Sequence, residues 1–373
     1  MHISCEKNKL KNAIDQVSKA ITSKQLLPIL GHILFETTED NKLKLTASSL
    51  DIGITCQIET DEVREPGTTT CSAKVISEIV NSMPSGLINL DIDSNINSEL
   101  VISNNFSVFK VMTLPSEEFP KSVKPQECES INISAEDFCK AVNKSTISIA
   151  DASESRPIMQ GLSIKFVGDE VHFVSTDGKR LSKAVIETSE KREKDQIIVP
   201  GKPLNDLLKI INKDENIQIQ YSKTHLFVSS ENTSFFCKLI EGNYPDYEKV
   251  IPKSFQGTCR ISREIITSAI SRMMIMAKDR DIPNVVKFHF TDDKLNLSAE
   301  TSGIGSGNEN IDVIHQGEEL KIAFNGKFIL DALKVLDEDE IVLRLQDNKN
   351  SMAIQNDEDD KSFIYICMPI RTK

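Results

Sequence analysis

The chain has 373 residues, of which 39% are hydrophobic and 27% charged, so it is a globular protein with material for two or three domains. Its formal net charge of −12 argues against nucleic-acid binding unless the basic residues gather on one surface. No apolar run reaches the roughly 20 residues of a membrane helix, and the first residues lack the apolar core of a signal peptide, so we expect a cytoplasmic protein.

The cysteines and histidines are dispersed in a way that does not indicate a metal site. The cysteines show no C-x-x-C spacing, and the histidines show no spacing typical of metal ligands or of a catalytic triad. We therefore expect reduced cysteines in the core, no metal and no cofactor. The eight cysteines are Cys5, Cys56, Cys71, Cys128, Cys139, Cys237, Cys259 and Cys367.

Three amphipathic segments begin in the same way and predict three equivalent helices. Each follows an Ile-Ser pair, and the serines are Ser4, Ser134 and Ser262. Serine is a natural N-cap, and an acidic residue stands two positions later in each copy, where the helix dipole favours it. The spacing of the serines indicates an internal repeat of about 130 residues.

Two further landmarks repeat in the same order. Alternating strands are predicted at 43–47, 171–175 and 295–299. In each copy a later strand runs into a second helix that begins near a lysine. Lysine early in a helix opposes the helix dipole, so these residues suggest a purpose other than helix stability. They are Lys74, Lys202 and Lys327.

Each repeat therefore combines two helices with several antiparallel strands, which makes it an α+β domain. Stretches with residues that break helices and strands, at 120–129 and 252–257, separate the copies. We expect three domains of one fold, comprising residues 1–124, 125–254 and 255–373.

A tight turn is predicted in the second repeat by the segment Thr176–Leu181, which reads T-D-G-K-R-L. Taken alone, an ordinary hairpin turn with solvated charges explains it. Three tandem copies of the unit with this turn in the second copy resemble the bacterial beta sliding clamp family of the replicative DNA polymerase. Stretches at 27–31, 156–161, 241–247 and 368–371 carry the same resemblance.

The resemblance implies a DNA-clamp fold, with a head-to-tail dimer that closes a ring and with helices inside and sheets outside. It implies a processivity factor, not an enzyme, that encircles duplex DNA without sequence preference. The implied partners are a clamp loader, the replicative polymerase and other replication and repair proteins that bear clamp-binding peptides. No membrane contact is implied.

A groove for partner peptides with a polar Gln and large apolar anchors is part of the resemblance. Lys179 stands where a His is common, and the chain ends in Thr372-Lys373 instead of an apolar residue, so the rim of the groove is changed. For Asn325 a helix N-cap is an equally good explanation. The expected groove residues are Met159, Thr176, Gly178, Lys179, Arg180, Leu181, Pro245, Val250, Asn325, Phe328, Ser351, Met368, Pro369, Ile370 and Arg371.

The helices that would line the hole carry cations suited to sequence-independent phosphate contacts. A solvated, charged helix face is the alternative explanation. Pro157-Ile158 stand where relatives carry aromatics, which leaves DNA contact by the Ser153–Ile158 loop open. The expected DNA contacts are Lys7, Lys11, Lys24, Lys74, Lys140, Lys144, Arg156, Lys202, Arg263 and Lys327.

The seam of the dimer would join the end strands of the first and third copies. The expected apolar residues there are Phe109, Val111, Ile275 and Met276, with ordinary core packing as the alternative.

Two other classes of function were weighed against the clamp. The glycine-rich stretch Ser302–Gly307 invites a nucleotide-loop interpretation, but residues 308–313 look like a strand, so the helix N-terminus that such a loop needs is missing. A flexible loop is the simpler interpretation. The other class is a protein-interaction scaffold of the same fold that no longer encircles DNA, which the acidic total and Pro157 favour and the lysine-rich helices oppose.

Overall fold

The computed structural model describes residues 1–22, 27–92, 99–154, 156–279 and 281–371. No helix within these ranges is long and apolar enough to cross a membrane. The helices are α1 (Lys7–Val17), α2 (Ala73–Ser82), α3 (Ala135–Thr146), α4 (Gly201–Leu207), α5 (Arg263–Met273) and α6 (Gly326–Leu333).

Strands account for most of the remaining regular structure. The first twelve are β1 (His2–Glu6), β2 (His32–Thr37), β3 (Lys42–Ser48), β4 (Ile52–Glu59), β5 (Glu62–Glu65), β6 (Thr68–Ser72), β7 (Leu87–Ile92), β8 (Glu99–Ser103), β9 (Val108–Met112), β10 (Glu129–Ser134), β11 (Gly161–Thr176) and β12 (Arg180–Pro200). The others are β13 (Asn216–Tyr221), β14 (His225–Ser229), β15 (Thr233–Lys238), β16 (Gly257–Ser262), β17 (Val285–Phe290), β18 (Lys294–Thr301), β19 (Gly305–Asp312), β20 (Ile314–Gln316), β21 (Leu320–Asn325), β22 (Glu340–Leu345), β23 (Met352–Gln355) and β24 (Phe363–Cys367).

The first compact unit comprises Met1–Glu136 and Lys202–Leu239. It contains a five-stranded sheet of order β5-β1-β7-β8-β9 and an eight-stranded sheet of order β10-β13-β14-β15-β4-β3-β2-β6. The eight-stranded sheet is continuous because β15 of the second repeat pairs antiparallel with β4 of the first. Helices α1 and α2 pack against each other within this unit.

The second compact unit comprises Asp137–Gly201 and Ile240–Lys373. Its sheets have the orders β11-β12-β24-β23-β22-β16-β20 and β19-β18-β17-β21, and β12 pairs antiparallel with β24 of the third repeat. The predicted α+β class with antiparallel sheets is confirmed. Because the strands of the middle repeat extend sheets in both units, this division does not follow the repeats, and the boundaries at 124 and 254 stay a prediction.

The repeat is visible in how the helices bury their apolar faces. In α1 and α5 the buried positions follow the same i, i+3, i+4, i+7 spacing, so both helices turn one stripe towards a sheet. These residues are Leu10, Ala13, Ile14 and Val17 in α1 and Ile266, Ala269, Ile270 and Met273 in α5. Gly326 begins α6, where a Cβ would come within 2.7 Å of the Met274 sulfur, so glycine permits the close packing of α6 against the end of α5.

The predicted serine caps hold at one position and fail at another. Ser262 is the N-cap of α5, and its hydroxyl accepts a hydrogen bond from the Ile265 N–H at 3.4 Å. Ser4 does not cap α1, since it lies inside β1 and α1 begins at Lys7. The reason is that β1 pairs on both sides, with β5 and β7, and these non-local hydrogen bonds extend the strand past the serine.

The glycine-rich stretch is more ordered than predicted. The expectation of a flexible loop over Ser302–Gly307 is wrong for its second half, because β19 begins at Gly305 and pairs with β18 as far as Asp312. The strand predicted to follow the glycines is confirmed, so this stretch leads into a strand and not into a helix.

All eight cysteines are free thiols, and seven are buried, as predicted. Burial raises the pKa of the Cys5, Cys71 and Cys259 thiols to about 12 and that of Cys56 to about 11. Cys128 is only half-buried. The described residues contain no group of three or more His, Cys, Asp or Glu side chains that could hold a metal ion.

Candidate functional site

The turn between β11 and β12 is held by its own side chains. The Asp177 carboxylate accepts hydrogen bonds from the N–H groups of Lys179 (2.9 Å) and Arg180 (3.0 Å). The Thr176 hydroxyl donates to the Arg180 carbonyl at 2.7 Å and accepts from the Gly178 N–H at 3.1 Å. Gly178 has φ = +83°, which a residue with a side chain rarely adopts. The predicted turn is thus confirmed, and these four hydrogen bonds hold its backbone in place.

Arg180 ties this turn to helix α6. Its Nε lies 3.0 Å from an Asp177 carboxylate oxygen, and its Nη1 lies 2.9 Å from Asp331. The guanidinium carbon lies 4.2 Å from the centre of the Phe328 ring, and the side chain is only 11% exposed. Burial alone would lower the pKa of Arg180, but Tyr365, Asp331 and Asp177 outweigh burial and raise it. Arg180 is therefore a fixed, enclosed cation shared by two elements.

The C-terminal segment runs from the turn to the other sheet of the second unit. Arg180 of β12 is opposite Cys367 of β24, and the Met368 N–H donates to the Lys179 carbonyl at 2.9 Å. Two residues later, the Ile370 N–H donates to the carbonyl of Ala323 on β21 at 2.7 Å. Met368 and Arg371 are exposed, so this segment presents side chains to solvent while its backbone is fixed.

The other predicted groove residues lie around this centre. The Met159 methyl lies 3.9 Å from where a Cβ on Gly178 would be. The Tyr244 hydroxyl accepts a hydrogen bond from the Thr176 N–H at 3.1 Å, and the exposed Pro245 follows. Leu181 belongs to a buried cluster that includes Tyr247, three residues before the exposed Val250. Residues from three distant parts of the chain therefore converge on the turn.

Not every predicted residue can touch a partner directly. Thr176, Leu181, Met159 and Ser351 are buried, so they form the floor of the site and not its surface. Asn325 is the N-cap of α6, since its side-chain oxygen accepts a hydrogen bond from the Lys327 N–H at 3.0 Å. The helix N-cap, which explained Asn325 as well as a groove contact did, is therefore confirmed. The exposed or half-exposed members are Gly178, Lys179, Pro245, Val250, Phe328, Met368, Pro369, Ile370 and Arg371, whereas the Arg180 side chain is largely enclosed.

The sequence did not reveal the acidic partners of Arg180. Asp177 was visible as a turn residue, but its bond to the guanidinium was not predicted. Asp331 lies 151 residues further along the chain, so no local pattern connects the two. The Tyr365 hydroxyl, which donates to the Phe328 carbonyl at 2.9 Å, was also missed.

Several of the predicted DNA contacts are engaged within the protein. Lys11 pairs with Asp15 at 2.6 Å and Arg156 with Glu154 at 3.1 Å, both on the surface. Surface pairs of this kind are weak and can be exchanged for phosphate.

Three other predicted contacts are held more firmly. Lys7 donates to the carbonyls of Met83 and Asn81 at the end of α2. Lys144 pairs with Asp337 at 2.6 Å with its side chain 14% exposed, and Arg263 donates to the Glu338 carbonyl at 2.7 Å. Structural roles account for these three cations.

The lysines that begin the second helix of each repeat are different. Each is the second residue of its helix, as predicted, and each is exposed. None has a salt bridge to another of the described residues. They are Lys74, Lys202 and Lys327. Lys140 is exposed but has an interaction of its own, and Lys24 lies outside the described residues.

The predicted seam residues lie at two open sheet edges. Strand β9 carries Phe109 and Val111, both half-buried, and it pairs only with β8 among the described strands. Exposed apolar side chains that sequence reasoning missed flank them on the same strand: Val108 is 66% and Met112 64% exposed.

The second edge is β19 in the other unit, which pairs only with β18 among the described strands. Met276 lies beside it, 3.5 Å from the Cβ position of Gly307, and the neighbouring Ile275 is 57% exposed. Unpaired edges with exposed apolar residues are surfaces that natural proteins cover.

Comparison with solved structures identifies the class to which this architecture belongs. The crystal structure of the DNA polymerase sliding clamp from Bacillus subtilis superposes with a TM-score of 0.92 at 26% identity, covering 100% of both chains. The chain therefore has the sliding-clamp fold. The curated Beta sliding clamp of Bacillus subtilis is 29% identical over 385 residues, and that of Vibrio cholerae 27% identical over 373 residues, each covering 100% of both chains.

The family follows from three consecutive matches along the chain. Residues 1–123, 132–246 and 248–371 match the N-terminal, central and C-terminal domains of the DNA polymerase III beta subunit. The chain belongs to the DNA polymerase III beta subunit family.

Proposed function

We propose that the protein is a processivity clamp, which encircles duplex DNA and tethers the replicative polymerase and other proteins of replication and repair. The observation that carries this proposal is the unbroken succession of the three beta-subunit domains over the chain. A clamp works by topology, so the proposal assigns no chemical step to this chain and requires no cofactor.

Closure into a ring is supported by the two open edges. Strand β9 and strand β19 lie in different units, so a head-to-tail dimer pairs the β9 edge of one copy with the β19 edge of the other. Two such contacts close the assembly and leave neither edge exposed. Phe109, Val111, Ile275 and Met276 would provide the apolar part of both contacts.

Binding to DNA without sequence preference is supported by Lys74, Lys202 and Lys327. Lysine contacts with phosphate are independent of base sequence and weaken with salt, which permits sliding. The overall charge of −12 disfavours DNA binding except where cations gather on one surface.

Partner peptides would bind around the Arg180 turn. The exposed apolar residues Val250 and Met368 offer contacts for large apolar anchors. The rigid turn reduces the entropy lost on binding. A clamp loader and the polymerase would compete for this one site.

Retention on circular and linear DNA tests the proposal directly. The protein is loaded with a clamp loader and ATP onto a nicked circle, and the fraction retained is measured before and after a single cut. We expect retention on circles and loss after linearisation. Equal retention on circular and on linear DNA would indicate ordinary surface binding. A dimer that is retained on neither form of DNA would favour the alternative function, a protein-interaction scaffold that does not encircle DNA.

A further inference from the structure

A cationic groove lies on the second unit beside the C-terminal segment. Its volume is about 710 Å³, and its lining includes Lys287, Lys321, Lys349, Arg371 and His289. The concentration of positive charge is notable in a chain whose net charge is −12.

The sheet register explains why these side chains share one face. On β17, Lys287 is opposite Ser298 of β18 and Ala323 of β21, and His289 is opposite Asn296 and Lys321. Because side chains alternate along a strand, these polar residues project together from one face. The intervening Val286, Phe288 and Phe290 are buried and project from the other face, where α5 contacts β18 and β19 and α6 contacts β21.

Most of the positive charge in the groove is not neutralised. Glu319 lies 2.6 Å from His289 and 3.6 Å from Lys321, so it is shared by two of the basic groups. Asp347 lies in the same loop as Lys349 and attracts it, and its carboxylate also accepts hydrogen bonds from the Lys349 and Asn350 N–H groups at 2.7 and 2.9 Å, so Lys287 and Arg371 carry the charge that has no counter-ion among the described residues.

The three remaining cations make no direct ion pair within the described part of the chain. Lys287, Lys349 and Arg371 have no salt bridge to another of the described residues, and all three are exposed. Like charges gathered at one surface repel each other. An anionic group that enters the groove reduces this repulsion and therefore binds with a favourable electrostatic free energy.

We propose that this groove binds a run of acidic residues next to the docking motif of a partner protein. The inference rests on the proposed function, because the docking motif is the peptide that occupies the Arg180 turn. Ile370 and Arg371 line the groove, while Met368 of the same segment bonds to Lys179 beside Arg180. An extended partner chain advances about 3.3 Å per residue, so a few residues beyond the motif bring it to the groove.

The position of the groove favours an acidic peptide over DNA. The helices α5 and α6 pack on one face of this sheet, and the groove lies on the opposite face. In a clamp the helices face the DNA, so the groove is turned away from the encircled duplex. The carboxylates of a tethered partner reach it without competition from that duplex.

Binding of three synthetic peptides tests the inference. All carry one motif with a Gln, two Leu and a Phe; one is extended by four Glu at either end, one by four Gln at either end, and one is not extended. Fluorescence anisotropy measures each dissociation constant at low and at high salt. We expect about ten-fold tighter binding of the Glu peptide than of the Gln peptide at low salt, and a smaller ratio at high salt.

Variants locate the effect on the protein. We expect the double variant Lys287→Gln with Lys349→Gln to bind the Glu and Gln peptides with equal affinity. The matched control Lys361→Gln removes an exposed lysine of the same unit outside the groove and is expected to keep the ratio. Each of these variants should bind the unextended peptide like the parent protein.

The outcomes separate this inference from the proposed function. If the unextended peptide binds but the Glu extension gives no gain, or if the control variant loses the gain as well, the groove is not an acid-binding site. If a short DNA oligonucleotide loses affinity in the double variant while the Glu preference persists, the groove serves DNA and the inference is wrong. Failure of the unextended peptide to bind would instead refute the peptide site at Arg180.

Discussion

Replacing Arg180 by alanine is the most informative single perturbation of the candidate site. The guanidinium is bonded to Asp177 and Asp331 and stacks on Phe328, so the substitution removes two ion pairs and a cation–π contact at once. It also leaves two carboxylates facing each other, with side chains 16% and 21% exposed.

The cost can be estimated from the burial of these groups. Removing one partner of a buried ion pair costs about 3–5 kcal/mol because the other charge stays unpaired. Both carboxylates retain some access to water, and Asp331 keeps Lys334 at 3.5 Å, so the lower end applies, and we expect a loss of about 3 kcal/mol. This loss appears in the free energy of unfolding, and partner-peptide binding should weaken as well because Arg180 no longer holds the turn against α6.

The assay compares Arg180→Ala with a lysine outside the peptide site. Lys361→Ala removes an exposed cation of the same unit whose side chain has no salt bridge to another described residue, so it serves as the control. Melting temperature reports stability, and titration with a fluorescent clamp-binding peptide reports affinity. Arg180→Lys keeps the charge without the planar fork and should fall between the two. If Arg180→Ala behaves like Lys361→Ala in both measurements, the reasoning about the buried cation is refuted.

Three further outcomes are expected. Val111→Glu places a charge at the β9 edge and should convert the dimer to monomer in analytical ultracentrifugation, whereas an unchanged dimer would place the seam elsewhere. Replacing Lys74, Lys202 and Lys327 together by Gln should weaken binding to a short linear duplex and reduce its salt dependence, and an unchanged affinity would remove them from the DNA contacts. A thiol reagent at pH 8 should modify Cys128 alone in the native protein, because burial raises the pKa of the other thiols for which a shift is resolved, and rapid modification of several cysteines would contradict their burial.

The features predicted well from sequence are those that depend on local patterns. The turn at Asp177-Gly178, the cap at Ser262 and the lysine at the second position of three helices all follow from a few adjacent residues. For the helix starts and the lysines the repeat strengthens the signal, because a copy of each of these patterns occurs about 130 residues away.

The features that sequence reasoning missed depend on distant pairings. Ser4 was assigned to a helix cap, but pairing of β1 with β7, more than eighty residues away, makes it part of a strand. The ion pair of Arg180 with Asp331 and the continuation of one sheet through β15 and β4 have the same origin. The spacing of residues along one segment does not indicate which other strand that segment will pair with. The buried residues beneath the site and the acidic partners of Arg180 could therefore not be predicted from the sequence.

His172 makes the support beneath the candidate site sensitive to pH. Its Nε2 lies 2.7 Å from the Glu170 carboxylate and donates to it, so its Nδ1 accepts the Tyr247 hydroxyl at 3.0 Å. Burial lowers the pKa of His172, and the hydrogen bond to Glu170 only partly offsets this effect. Tyr247 in turn packs against Leu181, next to Arg180.

The sign of the pH effect follows from the lowered pKa. Between the ordinary value of 6.5 and the lower folded value, the unfolded chain binds a proton at this histidine and the native protein does not. His172 therefore contributes stability that is fully present above pH 6.5 and is lost as the pH falls below it.

His172→Gln removes the titrating group, so its melting temperature should fall less between pH 7.5 and pH 5.5 than that of the parent protein. His225→Gln, in a sheet of the other unit, controls for the loss of a histidine as such. An identical fall in the parent protein and in His172→Gln would show that other groups set the pH dependence, and that the Glu170–His172–Tyr247 chain does not.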